Sequence, residues 1–240
     1  MFHWTDDMIR YMADAGRQTD FHRRLTAELL PYLSPQDRVC DAGCGLGFLS
    51  LALAPHVRHV TAADCDAQAL SVLKEELAAR HIENVTPLCT DIFTDRLAEP
   101  YDAMVFCLFG GTDEILDIAA RQCGGTALVV RRDFRQHQFS SGVRMAGHTA
   151  ADMEQELRRR GLTCTLRRFT LEFGQPFRSV EDALTFFRLY SRDGTAPARQ
   201  ELEARLEPSP WPDYPLYLPN PKPLCLLAIP AAQLKEGSHG

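Results

Sequence analysis

The chain has 240 residues, 45% of them hydrophobic and 24% charged, which is room for one sizeable core and the balance of a globular protein. A formal net charge of −6 argues against a protein whose main task is to neutralise phosphates, so a nucleic-acid substrate is the poorer expectation. No run nears the ~20 apolar residues of a membrane span, and the acidic start, Met1 to Asp7, lacks a leader's basic and apolar regions, so a cytoplasmic location is expected.

Taken in order, Thr5 before Asp6 and Asp7 marks a helix start, and the first helix runs to about Ala15. Thr19-Asp20 opens a second helix whose Phe21, Leu25 and Leu29 form one apolar stripe, ending at Pro31. Strand one spans Arg38 to Asp41. Phe48 to Ala54 is a helix apolar nearly all round, hence buried on both sides. Strand two is His59 to Ala63. Asp66 caps the next helix, which sets Ala69, Leu70, Leu73 and Leu77 on one face. Strand three is Val85 to Cys89 and strand four Ala103 to Leu108. A helix over Asp113 to Gln122 is expected to stop at Gly124-Gly125, before strand five, Thr126 to Val130. A helix from Thr149 to Arg160, a long strand from Thr163 to Phe173 and a last strand from Leu224 to Ile229 complete the pattern. Continuous apolar strands alternating with helices predict an α/β fold: a doubly wound parallel sheet covered on both faces.

The segment 174–222 is too long for a hairpin loop. It holds a helix over Val180 to Tyr190, another around Ala198 to Leu206, and then seven prolines between Pro208 and Pro223, interleaved with Trp211, Tyr214 and Tyr217. Prolines that dense supply no ladder donors, so extended backbone is expected. The insertion reads either as a cap over the substrate side or as a wrap around the sheet edge. The eight cysteines (Cys40, Cys44, Cys65, Cys89, Cys107, Cys123, Cys164 and Cys225) contain no C-x-x-C pair and read as free, mostly buried thiols, with no zinc-ligand spacing.

The chemistry is concentrated in Asp41-Ala42-Gly43-Cys44-Gly45-Leu46-Gly47. Glycines at every second position let a ligand lie against the backbone, and the turn leads into a helix N-terminus. The dinucleotide fingerprint G-x-G-x-x-G needs glycine at position 48, where Phe48 stands, so a nicotinamide-dependent oxidoreductase is disfavoured. Asp64 ends strand two, 19 residues beyond Gly45 and near the ~20 expected of a carboxylate that grips ribose hydroxyls. Asp91 follows strand three, so all three acids project at one edge of the sheet. Singly, each acid is as readily a helix cap or a solvated turn.

The D-x-G-x-G-x-G pattern with its acids resembles class I S-adenosylmethionine-dependent methyltransferases over about Asp20 to Val130. The resemblance implies a Rossmann-like, seven-stranded sheet, mostly parallel, with an antiparallel last strand inserted between strands five and six. It implies that 1–32 is a helical lid; residues 1–240 are read as one domain, with 174–222 inserted between the last two strands as the cap, the edge wrap remaining the alternative. It implies S-adenosylmethionine as the cofactor and S-adenosylhomocysteine as the product. Asp41 would help hold the methionine ammonium, and Gly43, Gly45 and Gly47 would let the methionine and ribose lie on the backbone. Asp64 would take the ribose, and Asp91 with Ile92 the adenine. Trp4, Tyr11 and His22 are lid candidates or helix packing. Relatives that methylate amide or base nitrogens carry Asn-Pro-Pro-aromatic after strand four, whereas this chain has Cys107-Leu108-Phe109-Gly110-Gly111. A small-molecule acceptor is expected, with a nucleic-acid or protein acceptor, or a non-catalytic cofactor-binding module, as the rivals. If the nucleophile is a hydroxyl, the base candidates are His137, His148 and His22. Arg131, Arg132 and Arg135 either bind a substrate anion or form a solvated charged loop.

Overall fold

The computed structural model describes residues 4–95, 99–135, 148–191 and 194–236. The first helices are α1 (Asp6–Gln18) and α2 (Phe21–Leu29). There follow β1 (Arg38–Ala42), α3 (Phe48–Leu53), β2 (His59–Asp64), α4 (Ala67–Arg80), β3 (Val85–Cys89), β4 (Tyr101–Cys107), α5 (Thr112–Gln122) and β5 (Cys123–Arg132). Then come α6 (Ala150–Arg159), β6 (Thr165–Glu172), β7 (Gln175–Phe177), α7 (Val180–Tyr190), α8 (Arg199–Glu203), β8 (Glu207–Trp211), β9 (Tyr214–Leu218), β10 (Pro221–Pro230) and α9 (Ala232–Glu236).

The main sheet has seven strands in the order β3-β2-β1-β4-β5-β10-β6, parallel except for β10, which runs antiparallel between β5 and β6. Alternate residues of each central strand enter opposite cores. Val39, Ala103, Val105, Leu128 and Leu226 join Leu25, Leu49 and Leu70 on one face. Cys40, Met104, Phe106, Val129 and Leu227 join Ile115, Met153 and Leu157 on the other. Strands buried on both sides have no polar face, which is why they read as unbroken apolar runs.

Two expectations need correction. Gly124 and Gly125 do not end α5: the helix stops at Gln122 and both glycines lie inside β5. The pairing of β4 with β5 is irregular between Tyr101 and Ala103. There the Asp102 carbonyl occupies the space a side chain at position 125 would need, so the glycine serves a close backbone approach rather than a helix stop. The proline-rich stretch is not bare extended chain either. β8 and β9 pair with each other, and β9 with β7, as a three-stranded antiparallel sheet. Pro208, Pro210 and Pro215 lie at its solvent-facing positions. The last strand begins at Pro221 rather than Leu224, and its pairing with β5 starts only at Leu224 opposite Arg132. The Pro223 carbonyl faces that side, accepting from the Asp133 amide at 2.9 Å. Proline is tolerated there because β5 has already ended and no ladder donor is missed.

The inserted sheet and α7 form a third small core, Phe177, Leu184, Phe186, Phe187, Leu202 and Leu218, into which α1 sends Tyr11. The Tyr11 hydroxyl donates to the Asp182 carbonyl at 2.8 Å and to its carboxylate at 2.9 Å. Arg10 donates to the same carboxylate at 2.8 Å, and Tyr214 donates to Asp14 at 2.6 Å. Tyr11 is fully buried. It packs the helix onto the insertion instead of facing a ligand. No helix among the described residues is long and apolar enough to cross a membrane.

Candidate functional site

The strand order reverses between β1 and β4, which opens a crevice at the C-terminal ends of the strands. The glycine turn fills its floor. The Gly43 and Cys44 amides donate to the Ala63 carbonyl at 2.8 and 3.1 Å, tying the turn to β2. Gly43, Gly45 and Gly47 have φ of 70, 54 and 76°, the left-handed region. Their missing side chains also make room. Phe109 lies where a side chain at 43 would project, and Trp4 comes within 3.1 Å of that point at 45.

Asp64 holds the turn from the other side. One carboxylate oxygen accepts from the Gly45 amide at 2.8 Å and the other from the Asp66 amide at 2.9 Å. Each oxygen keeps a lone pair for a further donor. Asp91 accepts from the Phe93 amide at 3.1 Å. Asp64, Asp91 and Ile92 line one narrow cleft of about 30 Å³ with Gly43, Thr90, Phe93 and Phe109. Phe93 and Phe109 stack at 5.2 Å. A purine is larger than this cleft, and Phe109, resting against Gly43, is the wall that must yield for one to enter.

On the other side of Gly43 lies a larger cavity of about 260 Å³, lined by residues 43–49, Asp41, Cys107, Leu108, Trp4, Met12, His22 and Phe173. Asp41 is its buried carboxylate, 1% exposed, and accepts from the Ser50 hydroxyl at 2.6 Å. Burial pushes its pKa up to about 6, against the lowering effect of Ser50 and with a further rise from the Asp64 charge. A buried carboxylate facing a cavity is the complement of a ligand cation.

The loop after β4 completes the crevice. Leu108 has φ of 56° and is 47% exposed. A leucine in the left-handed region is costly and persists only where its surroundings impose it. What imposes it lies underneath: Arg131, 2% exposed, donates to the Gly110 carbonyl at 2.7 Å and the Phe109 carbonyl at 3.4 Å. Of the two expectations for this arginine, neither a substrate clamp nor a solvated loop describes it. It is a buried cation whose guanidinium props the loop, and desolvation lowers its pKa to about 10. Arg135 pairs with Asp152.

The histidines fare differently from the acids. His137 lies outside the described residues. His148 is exposed beside Gly111 and lines neither cavity. His22 does reach the larger cavity, packed against Phe21, Phe48 and Phe173. Burial, with Lys222 nearby, drops its pKa to about 3, too weak a base for neutral pH. Two features escaped sequence reasoning. Phe93 and Phe109 sit in segments that carry no pattern, and Lys222 stands between two prolines. The Lys222 ammonium lies 4.7 Å from the centroid of Phe173, a ring that walls the larger cavity.

Comparison with known proteins agrees with this geometry. Residues 15–107 match the family model of the methyltransferase small domain. Ribosomal RNA small subunit methyltransferase A of Thermobifida fusca (strain YX) is 50% identical over 46 residues, 19% of this chain and only 16% of that protein's length. Among solved structures, a candidate methyltransferase from Bacillus halodurans C-125 superposes with a TM-score of 0.58 at 16% identity, over 85% of this chain and 97% of that one. A candidate RNA methyltransferase from Pyrococcus horikoshii gives 0.54 at 13% identity, over 95% and 98%. Precorrin-6y C5,15-methyltransferase from Geobacter metallireducens GS-15 gives 0.50 at 12% identity, over 85% and 87%. At these identities the structures speak for the fold.

Proposed function

We propose that this chain, a member of the class I S-adenosylmethionine-dependent methyltransferase family, transfers a methyl group from that cofactor to a small molecule. The observation that carries the reading is the pair of cavities either side of Gly43, one with the buried Asp41, the other with Asp64 and Asp91 at its rim. These residues fit the cofactor's chemistry. Asp41 would balance the methionine ammonium, Asp64 would accept from ribose hydroxyls, and Asp91 with Ile92 would meet the adenine. The bound cofactor supplies an activated methyl on a sulfonium, so the protein's task is alignment, which can contribute about 7–11 kcal/mol.

The residues of α1 and the insertion would exclude water. Trp4 and Met12 wall the larger cavity from above, and α1 is bonded to the insertion through Tyr11 and Asp182. We read residues 1–32 as the lid, 174–222 as the cap, and the whole as one cytoplasmic domain with its thiols free. A small acceptor is favoured because the larger cavity is walled on one side by Trp4, Met12, Phe21 and His22 of the lid, and because the net charge is −6. An RNA acceptor is the second reading, motivated by the 46-residue match to a ribosomal RNA methyltransferase. It would show as RNA binding that weakens steeply with salt.

The test is calorimetric binding of S-adenosylhomocysteine to the wild type and to Asp64→Ala. Micromolar binding that drops about tenfold or more in the variant, about 1.4 kcal/mol, is expected. Absence of binding to the wild type overturns the reading.

A further inference from the structure

A second cavity adjoins the one behind the glycine turn. It holds about 110 Å³ between α1, β7, α7 and the start of β10, lined by Phe173, Phe186, Tyr190, Leu218, Gln175 and Lys222. Met12 and Phe173 belong to both cavities and form the partition between them. The Lys222 ammonium lies against Phe173 and makes no hydrogen bond or ion pair recorded among the described residues. Lys222 is half-buried, and a lysine so placed without a carboxylate partner loses hydration that favours its charged form. Here Glu172 is the nearby acid, but its Oε1 is engaged by the Tyr217 hydroxyl at 2.8 Å and the Asn220 amide at 2.7 Å.

We propose that this cavity is the methyl-acceptor site, that it takes a single-ring phenol, and that Lys222 is the group that receives the phenolic proton. The proposal rests on the cofactor reading above and names its acceptor. Three observations define the ligand. The walls are aromatic and apolar, which suits a ring face. The volume, about 110 Å³, is below that of an apolar cavity of ~150 Å³ that admits benzene, so there is room for no more than one ring, its substituents directed to the cavity mouth, and fused rings are excluded. Lys222 lies against Phe173, one of the two partition residues, so a ring hydroxyl bonded to it would sit beside the cofactor cavity.

The chemistry balances. The neutral Lys222 amine takes the phenolic proton. A bound cofactor would supply the methyl to the phenolic oxygen, the carbon–sulfur electron pair remaining on its sulfur. The proton then passes from Lys222 to water. Burial lowers the lysine to about 8, opposed by Cys107 and Glu172, so an appreciable share is neutral near physiological pH. The ionisable groups facing it are Glu172 from β6, Cys107 from β4 and His22 from α2. Burial holds Cys107 protonated, at about 12, and His22 is neutral, so neither competes for the proton.

The probe is 4-nitrophenol, whose ionisation on binding is read by absorbance, in protein saturated with S-adenosylhomocysteine. The wild type should bind it saturably and shift its ionisation toward the phenolate. Lys222→Met should lose about tenfold or more in affinity, as expected for a hydrogen bond to a charged group, together with the spectral shift. Lys222→Arg keeps a charge but, being always protonated, takes no proton; it should bind the phenolate only with release of the phenolic proton to the buffer, a release that the wild type lacks where its lysine is neutral. Leu218→Phe, which fills the cavity from another of its lining positions, should lose binding with the lysine in place. Bound S-adenosylhomocysteine certifies that each variant is folded. Saturable binding unchanged in either Lys222→Met or Leu218→Phe, or no saturable binding to the loaded wild type, overturns the acceptor site. Failure of the wild type to bind S-adenosylhomocysteine overturns the cofactor reading instead.

Discussion

Asp41→Asn separates what the site costs from what it does. The Asp41 carboxylate is buried at the cavity floor, with the Ser50 hydroxyl as a donor to it and the Asp64 charge nearby. Its pKa rises from the ordinary 3.8 to about 6. Across that window the folded protein keeps a proton that the unfolded chain has lost. Stability therefore falls as pH rises from 3.8 to about 6 and stays lower above it. The displacement corresponds to about 3 kcal/mol at about 1.4 kcal/mol per pH unit. Asparagine can still accept from Ser50 and does not titrate. At pH about 7.5, Asp41→Asn should gain up to about 3 kcal/mol over the wild type, a rise in Tm of ~6–12 °C for a chain of this length. The advantage should shrink at pH about 5. The same variant should bind S-adenosylhomocysteine at least about tenfold more weakly, because an amide does not balance an ammonium. Urea melts at several pH values and calorimetry read both effects. Equal or lower stability of the variant at pH about 7.5, or a gap that does not narrow with acid, would refute the placement of a strained carboxylate here.

The other predictions concern the frame around the cleft. Arg131→Met removes a buried cation, so urea stability should hold or rise. The loop at 108–111 loses its prop, and S-adenosylhomocysteine affinity should fall by about tenfold. Leu108→Gly relieves a left-handed leucine and should raise stability by up to about 1 kcal/mol in the same melts; a loss of stability would mean the half-exposed side chain matters more than its backbone. Tyr11→Phe removes the one hydroxyl proton shared between the Asp182 carbonyl and carboxylate and should cost about 1–2 kcal/mol in urea stability. Protection of α1 amides in hydrogen exchange should drop with it.

The elements that frame the candidate site were legible because each had a local cause. The main-sheet strands announced themselves as apolar runs, or for β6 by alternation, Asp66 capped α4 as read, and the three acids were placed by strand ends. The insertion was not legible in the same way. β8 and β9 are half-exposed and proline-rich, so neither alternation nor propensity marks them, and only their pairing with β7 makes them strands. Tyr11 reads identically whether it faces a ligand or Phe186, since both are aromatic burial; its partners lie 171 residues away. Lys222 and Arg131 were ambiguous for the same reason. A basic side chain becomes chemically specific only when distant elements strip it of water.

The bonds between α1 and the insertion also set an order of events. Asp14 meets Tyr214 across 200 residues of chain. At synthesis rates of about 5–20 residues per second, roughly 10–40 seconds separate α1 from its partner. Through that interval α1 can already rest on α4 through Arg17–Glu76 and Asp6–Gln68, while its other side, with Tyr11, stays uncovered. The smaller cavity, walled by α1 on one side and by residues 173–222 on the other, is therefore among the last parts of the nascent protein to take shape. A ribosome-bound chain halted before residue 214 would carry the glycine turn, its acids and the first helix, but no enclosed space beside position 222.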